Sequence, residues 1–206
     1  MRPEFVFLDL GNVIVSFDRE RSFRQMATVA GIDAAAVQQT LATHRLSEAL
    51  ERGALDWPRF HAEFCRLTGT APASEALAHA ASDMFSLNIS MLPVIAGLER
   101  AGVPLGILSN TCGIHWNHLC ASRYAVVPGN CVAIVLSHEV AALKPEPAIY
   151  ARAAEQVGVR PEQIFFCDDI PAHVEAARAA GWDAEVFTSA SALIDALDRR
   201  GLNLGL

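Results

Sequence analysis

From Leu92 onward the chain repeats one unit: a short run nearly continuous in apolar residues, then an alanine-rich stretch with helical spacing. The runs are PLGILS at 104–109, VAIVLS at 132–137, QIFFCD at 163–168 and AEVFT at 184–188, and FVFLD at 5–9 belongs with them. A strand with one wet face alternates apolar and polar residues, whereas an unbroken apolar run is covered on both faces. Helices between such strands are the crossovers that parallel pairing requires. The pattern therefore predicts an α/β fold with a Rossmann-like parallel sheet. Helices are expected at LPVIAGLERAG, PEPAIYARAAEQVG, PAHVEAARAAG and SALIDALDRRG. The first three stop at Gly102, Gly158 and Gly181, residues suited to a left-handed C-cap.

One interval breaks the repeat. Between about Asp18 and Asn88 no convincing strand is found, only amphipathic segments such as RSFRQMATVAG, DAAAVQQTLATHRLSEALERG, DWPRFHAEFCRLTG and SEALAHAASDMF. That interval is far longer than a crossover needs. The expected organisation is a discontinuous α/β core, 1–17 and 89–206, with an inserted α-helical subdomain at 18–88. A chain of 206 residues, 52% hydrophobic and 19% charged, is long enough to bury such a core.

Charge narrows the partners. A formal charge of -7 repels phosphate backbones, so no nucleic-acid partner is expected, and an anion site must consist of a few placed residues. No apolar run reaches the roughly 18 residues of a membrane span, and the reading is a cytoplasmic protein, monomer or homodimer, with no membrane partner. Five cysteines without a CxxC pair suit a reducing compartment. In CGIHWNHLC, Cys112, His115, His118 and Cys120 carry zinc-compatible atoms, but their spacing matches no common finger and the segment reads as a helix without metal.

In an open parallel sheet, ligands bind beyond the carboxyl ends of the strands. Those ends carry Asp9, Ser109 with Asn110, and Asp168 with Asp169, while Lys144 follows the third strand in ALKPEP. An acid at one strand end is an ordinary turn former; acids, a hydroxyl and a cation gathered at one edge are a site. Carboxylates that converge repel unless a hard divalent cation joins them, and magnesium, which takes oxygen ligands and keeps waters, suits the set. Lys144 then supplies a mobile point charge, and Ser109 supplies a donor to an anion. A carboxylate at Asp9 can attack phosphorus and form an acyl phosphate that water later cleaves.

The set DLGNV at 9–13, LSNT at 108–111, LKPEP at 143–147 and FFCDD at 165–169 resembles the four motifs of the haloacid dehalogenase superfamily, chiefly its magnesium-dependent phosphatases. The helical insert lies where that family carries its C1 cap. Within the family, DLGNV, SNT followed by His115, and SHEVAALKPEPAIY are similar to the alpha-D-glucose-1-phosphate phosphatase-like branch. The resemblance implies hydrolysis of a small-molecule phosphate ester, such as a sugar phosphate. It makes Asp9 the nucleophile and a magnesium ligand, the Gly11 carbonyl a second ligand and Asp169 a direct acidic ligand. Asp168 would hold water on the ion, while Ser109, Asn110 and Lys144 would bind the phosphoryl group.

Gly11 departs from the pattern, because most phosphatases of the superfamily have there an Asp that protonates the departing oxygen. A glycine keeps the carbonyl and the tight turn. The expected leaving group is then a comparatively acidic hydroxyl, such as an anomeric oxygen, with water or a residue of the helical insert as alternative proton sources. Ala141 replaces a frequent Gly. His173 stands where relatives often have Asn and reads as a helix-surface residue, the alternative being a group that supports the neighbouring acids. His115 follows the Ser109 loop and is either an anion contact or a packing residue. At the edge of the insert and within it, Phe17, His44, Arg45, Trp57 and Arg59 are candidates for substrate contact without a motif to select among them. Two other readings use the same fold: a 2-haloacid dehalogenase, which lacks the second acid but needs no metal, and a non-catalytic binder of a phosphometabolite or protein.

Overall fold

The computed structural model describes residues 2–121, 124 and 126–206. Five parallel strands form its centre: β1 (Phe5–Leu8), β4 (Leu105–Ser109), β5 (Ala133–Leu136), β6 (Ile164–Asp168) and β7 (Asp183–Val186), in the order β5-β4-β1-β6-β7. The register sets Leu8 against Ile107 on one side and Cys167 on the other, so that β1, β4 and β6 end side by side.

The unbroken apolar runs explain the layers. Phe5, Phe7, Ile164 and Phe166 point to one face and pack with α9 (Pro147–Val157) and α10 (Pro171–Ala179). Val6, Leu8, Phe165 and Cys167 point to the other, against α6 (Met91–Arg100) and α11 (Ala190–Asp198). Successive side chains of a strand alternate faces, so a strand between two helical layers has no polar position. The Phe7 ring lies across the neighbouring strand at Gly106, where a Cβ would meet its Cε1 at 2.5 Å, and stacks on Trp182 at 5.5 Å. Gly102, Gly158 and Gly181 have φ of 68°, 64° and 87°, as the helix ends demanded.

Between Arg19 and Ser82 lie five helices: α1 (Arg19–Ala30), α2 (Ala34–Thr43), α3 (Leu46–Glu51), α4 (Trp57–Thr68) and α5 (Ser74–Ser82). They share a third apolar cluster, in which Met26, Val37, Phe60, Phe64 and Leu77 are joined by Cys112 from the sheet layer. Asp18 and Asp56 cap α1 and α4 by accepting from the Arg21 and Arg59 N–H groups. The single segment expected at DAAAVQQTLATHRLSEALERG is two helices, parted where Arg45 takes a φ of 50°.

The expectation of no strand between Asp18 and Asn88 is corrected. β3 (Phe85–Leu87) pairs antiparallel with β2 (Val15–Phe17), Val15 opposite Leu87, and the two strands flank the five helices in sequence. Three residues are too few to show a period of two, so the pairing leaves no trace in the sequence pattern. The remaining helices are α7 (Gly113–Ala121) and α8 (Ser137–Val140). Among the described residues no helix is long and apolar enough to cross a membrane.

Candidate active site

Asp9 follows β1 directly, Ser109 closes β4, and Asp168 closes β6. The parallel order thus brings side chains distant in sequence to one edge. The carboxylate oxygens of Asp9, Asp168 and Asp169 approach within 4.8 Å of one another, with Asp9 and Asp168 buried.

Lys144 binds this cluster together. Its Nζ donates to Asp9 Oδ1 at 2.7 Å, to Asp168 Oδ2 at 2.6 Å and to the Leu108 carbonyl at 2.9 Å, which uses all three of its N–H bonds. The side chain is 1% exposed. The mobile charge expected from the sequence is instead a fixed one. Burial works against the ammonium, yet Asp9 and Asp168 outweigh it and hold its pKa above the ordinary lysine value.

The two acids differ. Burial pushes the Asp9 carboxyl up to about 6, with Lys144 opposing and Asp168 adding to the rise. Asp168 is also buried, but the hydrogen bond from His173 and the charge of Lys144 hold it below the usual carboxylate range. His173 Nδ1 lies 3.0 and 3.1 Å from the two Asp168 oxygens, the Ile170 N–H donates to Asp168 Oδ1 at 2.8 Å, and the His173 carbonyl accepts from Tyr150 Oη at 2.8 Å. His173 is therefore not the helix-surface residue expected. It is buried because the first turn of α10 folds it back on the end of β6.

Asn110 behaves differently from a phosphate ligand with a free amide. Its Nδ2 donates to the Lys144 carbonyl at 2.9 Å and its Oδ1 accepts from the Lys144 N–H at 2.8 Å, so its side chain is committed to the backbone of Lys144. Asn12, which sequence reasoning did not single out, donates from Nδ2 to Asp169 Oδ2 at 2.9 Å and holds a φ of 55°. Asparagine is among the few residues that take this left-handed conformation readily, and it ties the turn after β1 to the turn after β6.

A divalent cation fits this donor set. Three carboxylates face one lysine, all the ligand atoms are hard oxygens, and the excess negative charge is the charge that such an ion neutralises.

Beside the cluster opens a cavity of about 130 Å³. The sheet layer lines it with Gly11, Ser109, Asn110 and Thr111, and the helices line it with Arg19, Ser22, Ser47, Glu51 and Trp57. A Cβ on Gly11 would stand 4.0 Å from Asp9 Oδ2, so this cavity-lining residue lies beside the carboxylate. Phe17 and Trp57 of the sequence candidates line the cavity, whereas His44, Arg45 and Arg59 do not. His115 lines it too, its ring edge-on to Phe85 at 5.5 Å. Burial pushes His115 down to about 4, against a hydrogen bond to the Ala81 carbonyl, so the ring is neutral near pH 7.

Residues 4–181 match the model of the haloacid dehalogenase-like hydrolases. Over 118 residues the chain is 31% identical to a protein of Mycobacterium tuberculosis named phosphatase MT3486, an alignment covering 55% of this chain and 52% of that one. The chain thus spans about half the length of this curated relative. It is 24% identical over 183 residues to the D-ribitol-5-phosphate phosphatase of Bacteroides thetaiotaomicron, covering 86% and 88% of the two chains. Its fold superposes with a TM-score of 0.81 on a haloacid dehalogenase family enzyme of Bacteroides thetaiotaomicron, solved in complex with magnesium and inorganic phosphate, at 22% identity over 91% of this chain and 95% of that one. With the strand-end carboxylates, the buried lysine and the family model in agreement over most of its length, the chain belongs to the haloacid dehalogenase-like hydrolases.

Proposed function

We propose that this protein is a magnesium-dependent phosphomonoesterase acting on a small phosphorylated metabolite, sugar phosphates foremost, through an aspartyl-phosphate at Asp9. The observation that carries the reading is the buried lysine bridging Asp9 and Asp168, with Asp169 beside them. A 2-haloacid dehalogenase uses a strand-end Asp without metal, and further acids crowded on its nucleophile would only repel it. The names of the two curated relatives support phosphoester chemistry.

In this reading Asp9, the Gly11 carbonyl and Asp169 would hold magnesium, with Asp168 supporting it through water. The ion supplies charge neutralisation for the phosphoryl group. Lys144 orients the Asp9 carboxylate by fixing Oδ1 and cancels part of its charge. Ser109 and the backbone N–H groups beyond it receive the phosphoryl oxygens, Lys144 joins them only by releasing one of its three present bonds, and Asn110, its amide committed to the Lys144 backbone, fixes the loop beneath them. The five helices at 18–88 act as a cap over the core of 1–17 and 89–206, closing the cavity to bulk water while the acyl phosphate exists. The reading includes a cytoplasmic protein, monomer or homodimer, which sizing of the native protein and fractionation of its host cell would test.

The deciding experiment measures phosphate release from a panel of sugar phosphates, nucleotides and phosphoamino acids, with magnesium and with a chelator. Turnover that needs the ion and disappears in Asp9→Asn supports the reading. Metal-independent turnover, or turnover surviving Asp9→Asn, ends it.

A further inference from the structure

We propose that Glu51 protonates the departing oxygen, supplying from the helical layer the acid that position 11 lacks. The inference rests on the phosphatase reading and names the residue for one step of it. An in-line displacement at phosphorus places the leaving oxygen on the side away from Asp9, toward the cavity. Among the described residues the cavity wall holds four ionisable groups: Arg19, Glu51, Cys112 and His115. Arg19 is a permanent cation and gives up no proton near pH 7. Burial pushes Cys112 up to about 12, and His115, pushed down to about 4, carries no spare proton at neutral pH. Glu51 remains. Burial moves its carboxyl above the ordinary range, with Arg19 opposing and Glu48 adding, which favours the protonated form that a donor needs.

Geometry makes the stronger case. Glu51 ends α3, and three contacts fasten that end to the sheet layer beside the phosphate loop. Ser137 Oγ donates to the Glu51 carbonyl at 2.6 Å while accepting from the Thr111 N–H at 2.9 Å, which places Glu51 one hydroxyl away from the Ser109–Asn110–Thr111 turn. Arg52 grips Glu146 with both guanidinium nitrogens, at 2.6 and 3.1 Å, two residues beyond Lys144. Gly53, with a φ of 71°, lies so close to the His138 carbonyl that a Cβ there would collide with it. Three successive residues are thus held to the loops that carry Ser109 and Lys144, and the first of them lines the cavity.

The step balances. An Asp9 oxygen forms its bond to phosphorus as the ester P–O bond breaks, the electron pair of that bond passes to the leaving oxygen, and the Glu51 carboxylic acid transfers its proton there to release an alcohol. In the second half, water attacks phosphorus as the P–O bond to Asp9 breaks, the protons of that water leave with the phosphate or pass to bulk water, and the Glu51 carboxylate takes its proton back from bulk water. Phosphate, the Asp9 carboxylate and the Glu51 acid are regenerated.

The test compares Glu51→Gln with the unaltered protein, both with magnesium, on an alkyl ester such as glycerol phosphate and on p-nitrophenyl phosphate, whose phenolate departs without a proton. The expected result is a fall in kcat of about 10²- to 10⁴-fold on the alkyl ester alone, with KM and turnover of the aryl ester retained. Equal losses on both esters, a change confined to KM, or no loss overturns the assignment. Should Glu51→Gln fail to fold, the unaltered protein is assayed on esters with leaving groups of graded acidity. A shallow dependence of kcat/KM, which reports the breaking of the ester bond alone, supports the inference and a steep one overturns it. Failure of the unaltered protein to turn over any ester is a different outcome: it brings down the phosphatase reading, and this assignment with it.

Discussion

The ring of Phe17 occupies the space that a side chain at position 11 would need: a Cβ on Gly11 would stand 2.9 Å from Phe17 Cε1. Installing the missing acid as Gly11→Asp therefore overpacks the cavity edge. A loss of about 1–3 kcal/mol is expected, read from the urea midpoint. In a Phe17→Ala background the same change costs less, because the two positions share one space and their effects do not add. Equal costs in both backgrounds would show that the ring yields freely.

Metal should be visible in stability. With chelator present, Asp9, Asp168 and Asp169 face each other around one lysine, so the folded state gains from a divalent cation that the unfolded chain binds poorly. Magnesium at about 100 times its dissociation constant raises stability by about 2.7 kcal/mol. Asp169→Asn removes most of the resulting rise in Tm, and an unchanged rise in that variant would place the ion elsewhere.

Lys144→Met leaves two buried carboxylates without their shared partner. Removing one member of a buried ion pair costs about 3–5 kcal/mol, far more than an exposed pair. The variant is expected to lose turnover together with that stability, measured by denaturant titration. A stability within about 1 kcal/mol of the unaltered protein would mean that Asp9 and Asp168 relax apart or take up protons freely.

His115 should make folding sensitive to acid. Its ordinary value of 6.5 is lowered to about 4 in the folded protein, first by burial and then by His118 and Arg19, so the unfolded chain binds the extra proton between those limits. The stabilisation is complete above about pH 6.5 and is lost as pH falls toward 4, with a slope of at most about 1.4 kcal/mol per pH unit. Subtracting the stability profile of His115→Gln isolates this component, and parallel profiles would refute it.

Along residues 51–53, neighbouring substitutions should differ. Arg52 and Glu146 are 37% and 41% exposed, so Arg52→Ala is expected to move the urea midpoint little. Gly53→Ala is expected to cost more, since it combines a left-handed backbone with a clash against the His138 carbonyl. The urea midpoints of the two variants check the order.

The strands and the acids of the site were legible in sequence for the same reason. Burial on both faces removes alternation, and a charged residue at the end of such a run is conspicuous. The support around those acids was not. His173 faces Asp168 across a strand-to-helix turn, a relationship set by the direction of α10, and a lone histidine in a helical stretch suggests a surface. Asn12 carried a faint signal, an asparagine after glycine in a turn, yet its partner Asp169 lies 157 residues away. Glu51 had none, because whether a helical glutamate meets solvent or a cavity depends on how α3 docks. β3 was hidden by its length and by a partner strand that begins inside the apolar run after Gly11.

The fit of the Phe7 ring over Gly106 has a consequence for how this protein can change over generations. A larger residue at 106 strikes the ring and also the Ala133 carbonyl of the adjoining strand, while a smaller one at 7 opens a void beneath Trp182. Neither position can drift alone without weakening the centre of the sheet. Lineages descended from this chain should therefore exchange the two together or keep both, inheriting the ring and its hollow as a single heritable trait.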